Sequence, residues 1–79
     1  MYIIYSDKLD RYYIGSAENT SIRVVQHNNS NGSKFTRRSN DWTLVYCEVF
    51  DTRSEAQSRE YAVKRKKSRK HIEFLIGKG

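Results

Sequence analysis

The first fifteen residues contain two short apolar runs that are separated by a polar segment. Residues 2–5 and residues 12–14 are apolar or aromatic at every position, whereas residues 6–11 are polar apart from one leucine. Continuous runs of this length are typical of strands that are covered on both faces. The polar hexapeptide predicts a hairpin connection, so we expect the chain to open with two antiparallel strands.

The register of this hairpin decides which side chains share a face of the sheet. If Tyr5 pairs with Tyr12, then Tyr2 lies opposite Gly15. Tyr2 and Tyr13 become diagonal neighbours on one face, roughly 7–8 Å apart at their backbones. Because Gly15 has no side chain, we expect open space opposite Tyr2 where a phosphate could approach. The alternative is purely structural, since tyrosine favours strands and fills protein cores.

The next segment predicts a helix over residues 18–28. Ile22 and Val25, with Val24 at the edge, form a narrow apolar stripe that we expect to face inward. Asn19 or Thr20 can cap the helix, because either side chain can accept a hydrogen bond from a free backbone N–H of the first turn.

A loop and a third strand follow this helix. The composition of residues 28–33 predicts the loop, and the alternation over residues 42–50 predicts the strand. Val45, Cys47 and Val49 share one apolar face of that strand. Cys47 is therefore expected to be a buried core thiol.

The last part of the chain predicts two helices. Thr52 and Glu55 form a capping box for a helix that runs to about Lys66. Ser68 can cap a final helix. Ile72, Leu75 and Ile76 are expected to pack inward from that helix. Gly77 and Gly79 are expected to end it.

These elements follow one another in the order β-β-α-β-α-α. The pattern predicts an α+β fold in which a small, mostly antiparallel three-stranded sheet is flanked by helices. With no proline, repeat or linker, residues 1–79 are expected to form a single domain. A chain of this length is near the lower limit for folding on its own core.

The charge balance points to a polyanionic partner. Fifteen Lys and Arg residues against nine Asp and Glu give a net charge of +6, and such a surplus favours phosphate binding through counterion release. Charge does not distinguish DNA from RNA, or binding from cleavage. One cysteine excludes an internal disulfide, and no long apolar stretch or leader is present, so we expect a cytoplasmic protein.

Two tripeptides carry the most specific pattern, namely Met1-Tyr2-Ile3 and Tyr13-Ile14-Gly15. They resemble the paired motifs of the GIY-YIG nuclease family, although Met1 stands in place of the first glycine. Arg23, His27 and Glu60 fall where that family keeps an arginine, a histidine and a metal-binding glutamate. The resemblance covers nearly the whole chain. It is greatest to small free-standing members, which are similar to the N-terminal nuclease domain of the repair enzyme UvrC.

This resemblance implies a metal-dependent DNA endonuclease, acting in DNA repair or recombination. Tyr2 would deprotonate or position the attacking water, and nearby cations would have to favour its phenolate. Tyr13 would order the phosphate or the water network, and His27 would assist proton transfer. Arg23 would neutralise charge on the phosphate. Ser16 departs from relatives that place a lysine there, and the downstream asparagine of the repair nucleases is absent.

The spacing and side-chain chemistry of Arg23 and His27 also suit a functional site without the family resemblance. Four positions apart on one predicted helix, they project from one face, away from the stripe of Ile22 and Val25. The planar guanidinium of Arg23 suits a phosphate because it donates two parallel hydrogen bonds. The alternative is an ordinary solvated helix face.

Glu60 lies on an inward line of its predicted helix, between Ala56 and Val63. A carboxylate in such a place is costly unless it is paired or bound to a cation. The resemblance supplies one divalent ion, Mg²⁺ or Mn²⁺, because a single carboxylate suits a hard ion that keeps its waters. The alternative is an ion pair with Lys64, four residues on.

Two basic segments, residues 34–38 and 64–70, complete the candidate DNA-binding surface. Gly15 belongs to the same surface because it is expected to lie opposite Tyr2. We expect phosphate contacts without base reading from Lys34, Arg37, Arg38, Lys64 and Lys67. A domain this small covers little DNA, so a protein partner or a homodimer fits the expectation.

Two rival functions remain open. One is a non-catalytic nucleic-acid-binding protein that retains the nuclease fold. The other is an RNA-binding protein associated with the ribosome. The net positive charge fits this function, but the spacing of the tyrosines and glycine gives no support for it.

Overall fold

The computed structural model describes residues 1–29 and 34–78 of the chain. The fold is α+β, in the predicted order β-β-α-β-α-α, with one antiparallel sheet of strand order β2-β1-β3. The strands are β1 (Tyr2–Ser6), β2 (Arg11–Gly15) and β3 (Thr43–Cys47). The helices are α1 (Thr20–Asn28), α2 (Arg53–Arg65) and α3 (Arg69–Lys78), with a short 3₁₀ turn over Thr36–Arg38.

The register of the opening hairpin is confirmed. Tyr5 pairs with Tyr12, and Tyr2 pairs with Gly15. The turn is closed by Asp10, whose φ of 51° lies in the left-handed region that aspartate tolerates better than most residues. The Asp10 carboxylate accepts hydrogen bonds from the Tyr5 hydroxyl at 2.5 Å and from Arg69 at 2.7 Å, which attaches α3 to the turn.

A β-bulge in β3 changes the expected faces of that strand. Ile3 pairs with Tyr46, but Ile4 pairs with Leu44, so Val45 is an extra residue. The bulge breaks the alternation that was predicted across residues 42–50, because one inserted residue moves every later side chain to the other face. The prediction that Cys47 is a buried core thiol is wrong, since Cys47 is exposed at the edge of the sheet.

Helices cover both faces of the sheet, as the apolar strands predicted. On one face, α2 and α3 contribute Val63 and Leu75 to a core that also contains Met1, Ile3 and Ile14. On the other face, the segments around α1 and the 3₁₀ turn cover a second core of Tyr2, Ile4 and Trp42. The two sides of the sheet therefore differ, because the second core is built around aromatic rings.

The orientation of α1 differs from the prediction. Asn19 caps the helix as expected, its side chain accepting the backbone N–H of Ile22 at 3.1 Å. However, Ile22 and Val25 are 55% and 57% exposed, so the predicted inward stripe is wrong. The inward face instead carries the fully buried His27, together with Val24, which was expected at the edge of the stripe.

The caps of the last two helices are confirmed. Thr52 accepts the backbone N–H of Glu55 at 3.2 Å, and Ser68 accepts that of His71 at 3.2 Å. The final helix runs through Gly77 and ends at Lys78, so Gly77, one of the two glycines predicted to end it, does not do so.

Residues 30–33 of the predicted loop, and Gly79, lie outside the described residues. No described helix has the length and apolar character needed to cross a membrane.

Candidate active site

The predicted catalytic residues come from four elements and approach one another near the end of β2. The pKa of Tyr2, on β1, is affected by the charges of Tyr13, Arg23 and Glu60, which lie on β2, α1 and α2. His27 contacts the rings of both Tyr2 and Tyr13. The pairing of Tyr2 with Gly15 brings β1 and β2 together at this point.

A buried chain of hydrogen bonds runs through the middle of this group. The Tyr2 hydroxyl lies 2.8 Å from Nε2 of His27, and Nδ1 of His27 lies 2.7 Å from the Thr36 hydroxyl. All three side chains are at most 1% exposed. The Thr36 carbonyl oxygen also accepts the indole N–H of Trp42 at 2.8 Å. Both ring nitrogens of His27 are therefore partnered, which explains how a histidine is tolerated on the inward face of α1.

Burial keeps both members of the Tyr2–His27 pair neutral. It raises the pKa of Tyr2 to about 12, although a hydrogen bond from Arg23 acts in the opposite direction. Burial, together with the Arg23 charge, lowers the pKa of His27 to about 4. Arg23 favours the Tyr2 phenolate, but desolvation outweighs it, so the condition set for a free phenolate near neutral pH is not met.

Gly15 is needed here for space and not as a phosphate platform. A Cβ atom at Gly15 would lie 2.5 Å from the Tyr2 hydroxyl oxygen and 2.7 Å from Cζ of the same ring. The open space that was expected opposite Tyr2 is thus filled by Tyr2 itself, and Gly15 is buried. Glycine is required because any side chain would displace the phenol.

Glu60 lies beside this group on α2 and has two partners. The Ser16 hydroxyl donates a hydrogen bond to Oε1 at 2.7 Å, and Nζ of Lys64 lies 2.6 Å from Oε2. The alternative ion pair with Lys64 is therefore formed. Lys64 also reaches the edge of the site, with Nζ 5.8 Å from the centre of the Tyr13 ring.

The donor atoms around Glu60 are compatible with one hard divalent ion. Among residues 1–29 and 34–78, no group of three or more His, Cys, Asp or Glu side chains could hold a metal ion. Mg²⁺ is commonly held by one or two carboxylates, with waters and substrate phosphates filling the other positions. Glu60, half-buried and bonded to the Ser16 hydroxyl, can serve as such a carboxylate if Lys64 gives up Oε2.

Arg23 is half-buried and donates to the side-chain oxygen of Gln26 at 2.9 Å. A guanidinium carries five donor N–H groups, so this contact leaves others for a phosphate. Its charge acts on both Tyr2 and His27, which places it between the buried pair and the surface.

The candidate DNA-contacting cations are all exposed, but they lie in two regions, one in the segment after α1 and one at the end of α2. Phe35 packs against Tyr13, with ring centres 6.0 Å apart, and Arg38 lies 5.7 Å from the centre of the Phe35 ring. These two contacts anchor the segment after α1 at the site. The exposed cations are Lys34, Arg37, Arg38, Lys64 and Lys67.

Two contributors were not predicted as site residues. Ser16 was noted only as a departure from relatives with lysine, and its bond to Glu60 gives it a positioning role. Thr36 holds the second nitrogen of His27, and nothing in the local sequence indicated this, because the contact joins segments nine residues apart.

Comparisons with known proteins place this chain among relatives of one family. Residues 1–73 match the family described as the GIY-YIG catalytic domain. A UPF0213 protein of Staphylococcus saprophyticus is 42% identical over 63 residues, covering 80% of this chain and 77% of that protein. A UPF0213 protein of Clostridium perfringens is 37% identical over 71 residues, covering 90% and 76%.

A third relative, a UPF0213 protein of Staphylococcus epidermidis, is 44% identical over 52 residues, which are 66% of this chain and 63% of that protein. The names of these relatives state no activity. No solved structure matches the chain.

Proposed function

This chain belongs to the GIY-YIG catalytic-domain family, and from that premise we propose that it is a metal-dependent endonuclease that hydrolyses DNA phosphodiester bonds. The observation that carries the proposal is the 2.8 Å contact between the Tyr2 hydroxyl and Nε2 of His27. It joins a phenol to a neutral imidazole within the group that also includes Arg23 and Glu60.

In the proposed reaction, Tyr2 and His27 relay a proton away from the attacking water in two linked transfers. As water attacks the phosphorus, its proton passes to the Tyr2 oxygen, and the phenolic proton passes to Nε2 of His27. This route needs no free phenolate, which a pKa of about 12 would make scarce at neutral pH. His27 is neutral at that pH, so Nε2 is able to accept the proton, and its lowered pKa of about 4 favours rapid release of that proton afterwards.

Glu60 and Arg23 supply the electrostatic part of the proposal. Glu60 would hold one Mg²⁺ or Mn²⁺ ion, and such an ion provides Lewis-acid stabilisation of the leaving oxygen. Ser16 fixes the orientation of the Glu60 carboxylate through its 2.7 Å hydrogen bond. Arg23 would neutralise charge that builds on the phosphate, since its remaining N–H donors suit that group.

The setting of the activity is part of the proposal. We assign DNA as the substrate class, repair or recombination as the process, and the cytoplasm as the compartment, which an exposed free Cys47 suits because reducing conditions preserve thiols. Two cores on opposite faces of one sheet support treating residues 1–79 as one domain. A protein partner or second copy would extend a contact surface that is small.

A second candidate function is non-catalytic nucleic-acid binding. Two observations favour it, namely that the Tyr2 side chain is only 1% exposed and that Lys64 already neutralises Glu60. A protein of this kind would retain the net charge of +6 and bind DNA without cleaving it.

Plasmid nicking separates the two functions. A nuclease should convert supercoiled DNA to the open-circle form only with Mg²⁺ or Mn²⁺. Glu60→Gln should abolish nicking and leave DNA affinity nearly unchanged. Glu18→Gln, at an exposed carboxylate before α1, should retain nicking activity. Cleavage that persists in excess chelator would remove the metal from the mechanism. Tight binding without nicking in either metal would establish the non-catalytic alternative.

A further inference from the structure

We propose that the cavity between β2 and the junction of α2 with α3 is a second phosphate subsite, which holds the DNA backbone a few nucleotides from the bond that is cut. The identity of this ligand rests on the proposed function. The cavity has a volume of about 340 Å³. The residues that matter in its lining are Arg11, Tyr12, Lys64, Lys67, Ser68 and Arg69.

The charge of this cavity favours an anion. Four cationic side chains line it, and no carboxylate does. Arg69 is paired with two carboxylates, Asp10 at 2.7 Å and Glu73 at 3.5 Å, and Lys64 is paired with Glu60 at 2.6 Å. Arg11 donates to the Asp10 carbonyl oxygen at 3.1 Å, which leaves its charge uncompensated by that contact.

Lys67 is the strongest indication of a bound anion. No ion pair within 4.0 Å joins Lys67 to an acidic side chain anywhere in residues 1–29 and 34–78. Together with Arg11, it gives the cavity a net positive charge that a phosphodiester would neutralise.

The backbone at Lys67 supports the same conclusion. Its φ of 47° lies in the left-handed region, where glycine is the usual residue after a helix and a lysine is strained. α2 ends at Arg65 and α3 begins at Arg69, so this conformation lies in the short connection between the two helices. Keeping a lysine where glycine would be easier is understandable if the ammonium group has a function.

The cavity is next to the candidate active site along the edge strand β2. Lys64 belongs to both places, since it lines the cavity and contacts Glu60. Gly15, at one end of β2, covers Tyr2, while Arg11, at the other end, lines the cavity. Five residues of strand span about 13 Å, or about four nucleotide steps at roughly 3.4 Å of axial rise each. Tyr12 of the cavity packs against the first core and Tyr2 belongs to the second, on the other face of the sheet. One polynucleotide strand that occupies both places must therefore pass around the β2 edge, where Lys64 contacts Glu60.

The test measures the salt dependence of DNA binding. A short labelled duplex is titrated in chelator with the Glu60→Gln protein, so that no cleavage is involved, and the slope of log affinity against log salt is recorded. Adding Lys67→Gly should make the slope shallower by about 0.9, the value for one lost phosphate contact. Arg11→Met should do the same, and Lys67→Arg should restore the slope.

Folding is controlled within the same set of variants. Lys67→Gly removes the charge and relieves the backbone strain, so its melting temperature should equal or exceed that of the parent protein. Arg53→Met, at the opposite end of α2, removes one exposed cation outside the cavity and should leave the slope unchanged. Equal slopes for Lys67→Gly and the parent, or equal changes for Arg53→Met and Lys67→Gly, would refute the subsite.

Duplexes with single neutral methylphosphonates give an independent readout. Neutralising one backbone position should weaken binding of the parent protein but not of Lys67→Gly, because both changes remove the same contact. If no position shows this coupling, the cations attract DNA only diffusely and the subsite is wrong. The subsite stands and the nuclease fails if coupling occurs without nicking of plasmid DNA. Nicking of plasmid DNA without such coupling would support the nuclease activity and refute the subsite.

Discussion

Lowering the pH from 7 to 5 should destabilise this protein mainly through His27. The unfolded chain protonates this histidine near pH 6.5, whereas burial and Arg23 lower its pKa in the folded protein to about 4. Between those values the unfolded state binds more protons, so the free energy of unfolding falls as the pH falls. The stabilisation is fully present above pH 6.5 and is lost progressively toward pH 4.

The size of the effect follows from these two pKa values. The linkage relation gives a loss of about 1.8 kcal/mol between pH 7 and pH 5. Solvent screening and local opening around His27 reduce this figure, so we expect about 1 kcal/mol. Carboxylates such as Glu48, whose pKa is lowered chiefly by its hydrogen bond from Arg59, lose their contribution only at lower pH. The chosen interval therefore isolates the histidine.

Urea denaturation at the two pH values measures the loss, and the second histidine of the chain provides the control. His27→Gln should be less stable at pH 7 but should lose most of the pH dependence, because glutamine does not titrate. His71→Gln, on α3, should retain the parent behaviour. If His27→Gln and the parent protein lose equal stability between pH 7 and pH 5, the explanation through a buried neutral imidazole is wrong.

Three further predictions concern the surroundings of the site. Gly15→Ala should lower the free energy of unfolding by about 1–3 kcal/mol in urea titrations, because its Cβ would lie 2.5 Å from the Tyr2 hydroxyl oxygen; unchanged stability would contradict this packing. Lys64→Met should strengthen Mn²⁺ binding up to about five-fold in calorimetry, since it frees Glu60 from a partly exposed pair worth at most about 1 kcal/mol; weaker binding would mean that the metal lies elsewhere. Cys47 should react with a thiol reagent at the same rate in native protein as in a small thiol peptide, because it is exposed, and slow, unfolding-limited reaction would contradict its position.

The sequence predicted best what depends on local pattern. The hairpin register was predictable because two apolar runs and one polar connection allow few pairings, and the caps at Asn19, Thr52 and Ser68 depend only on residues within one turn. The convergence of Tyr2 with Glu60 required the family resemblance, since α2 begins 38 residues after β2 ends.

What the sequence could not predict depends on contacts between distant segments. Counting apolar positions on α1 selects Ile22 and Val25 as the inward face, but the buried face is decided by His27, whose two nitrogens find partners on β1 and in the 3₁₀ turn. The exposure of Cys47 depends likewise on the bulge at Val45, because an inserted residue has no signal in a continuous apolar run.

The Tyr2–His27 pair is a place where folding and the proposed chemistry compete. Burial penalises a charged phenolate and a charged imidazolium, so the pair is neutral at every pH between the two shifted pKa values of about 4 and about 12. A relay that takes a proton from water and passes it to His27 starts from that neutral state but forms an imidazolium, which burial disfavours. Glu60 presents a similar conflict, because the ion pair with Lys64 that stabilises the carboxylate must open before a metal ion can bind both oxygens. Metal affinity, and not the protonation of Tyr2, is therefore the property that substitutions at this site should alter most easily.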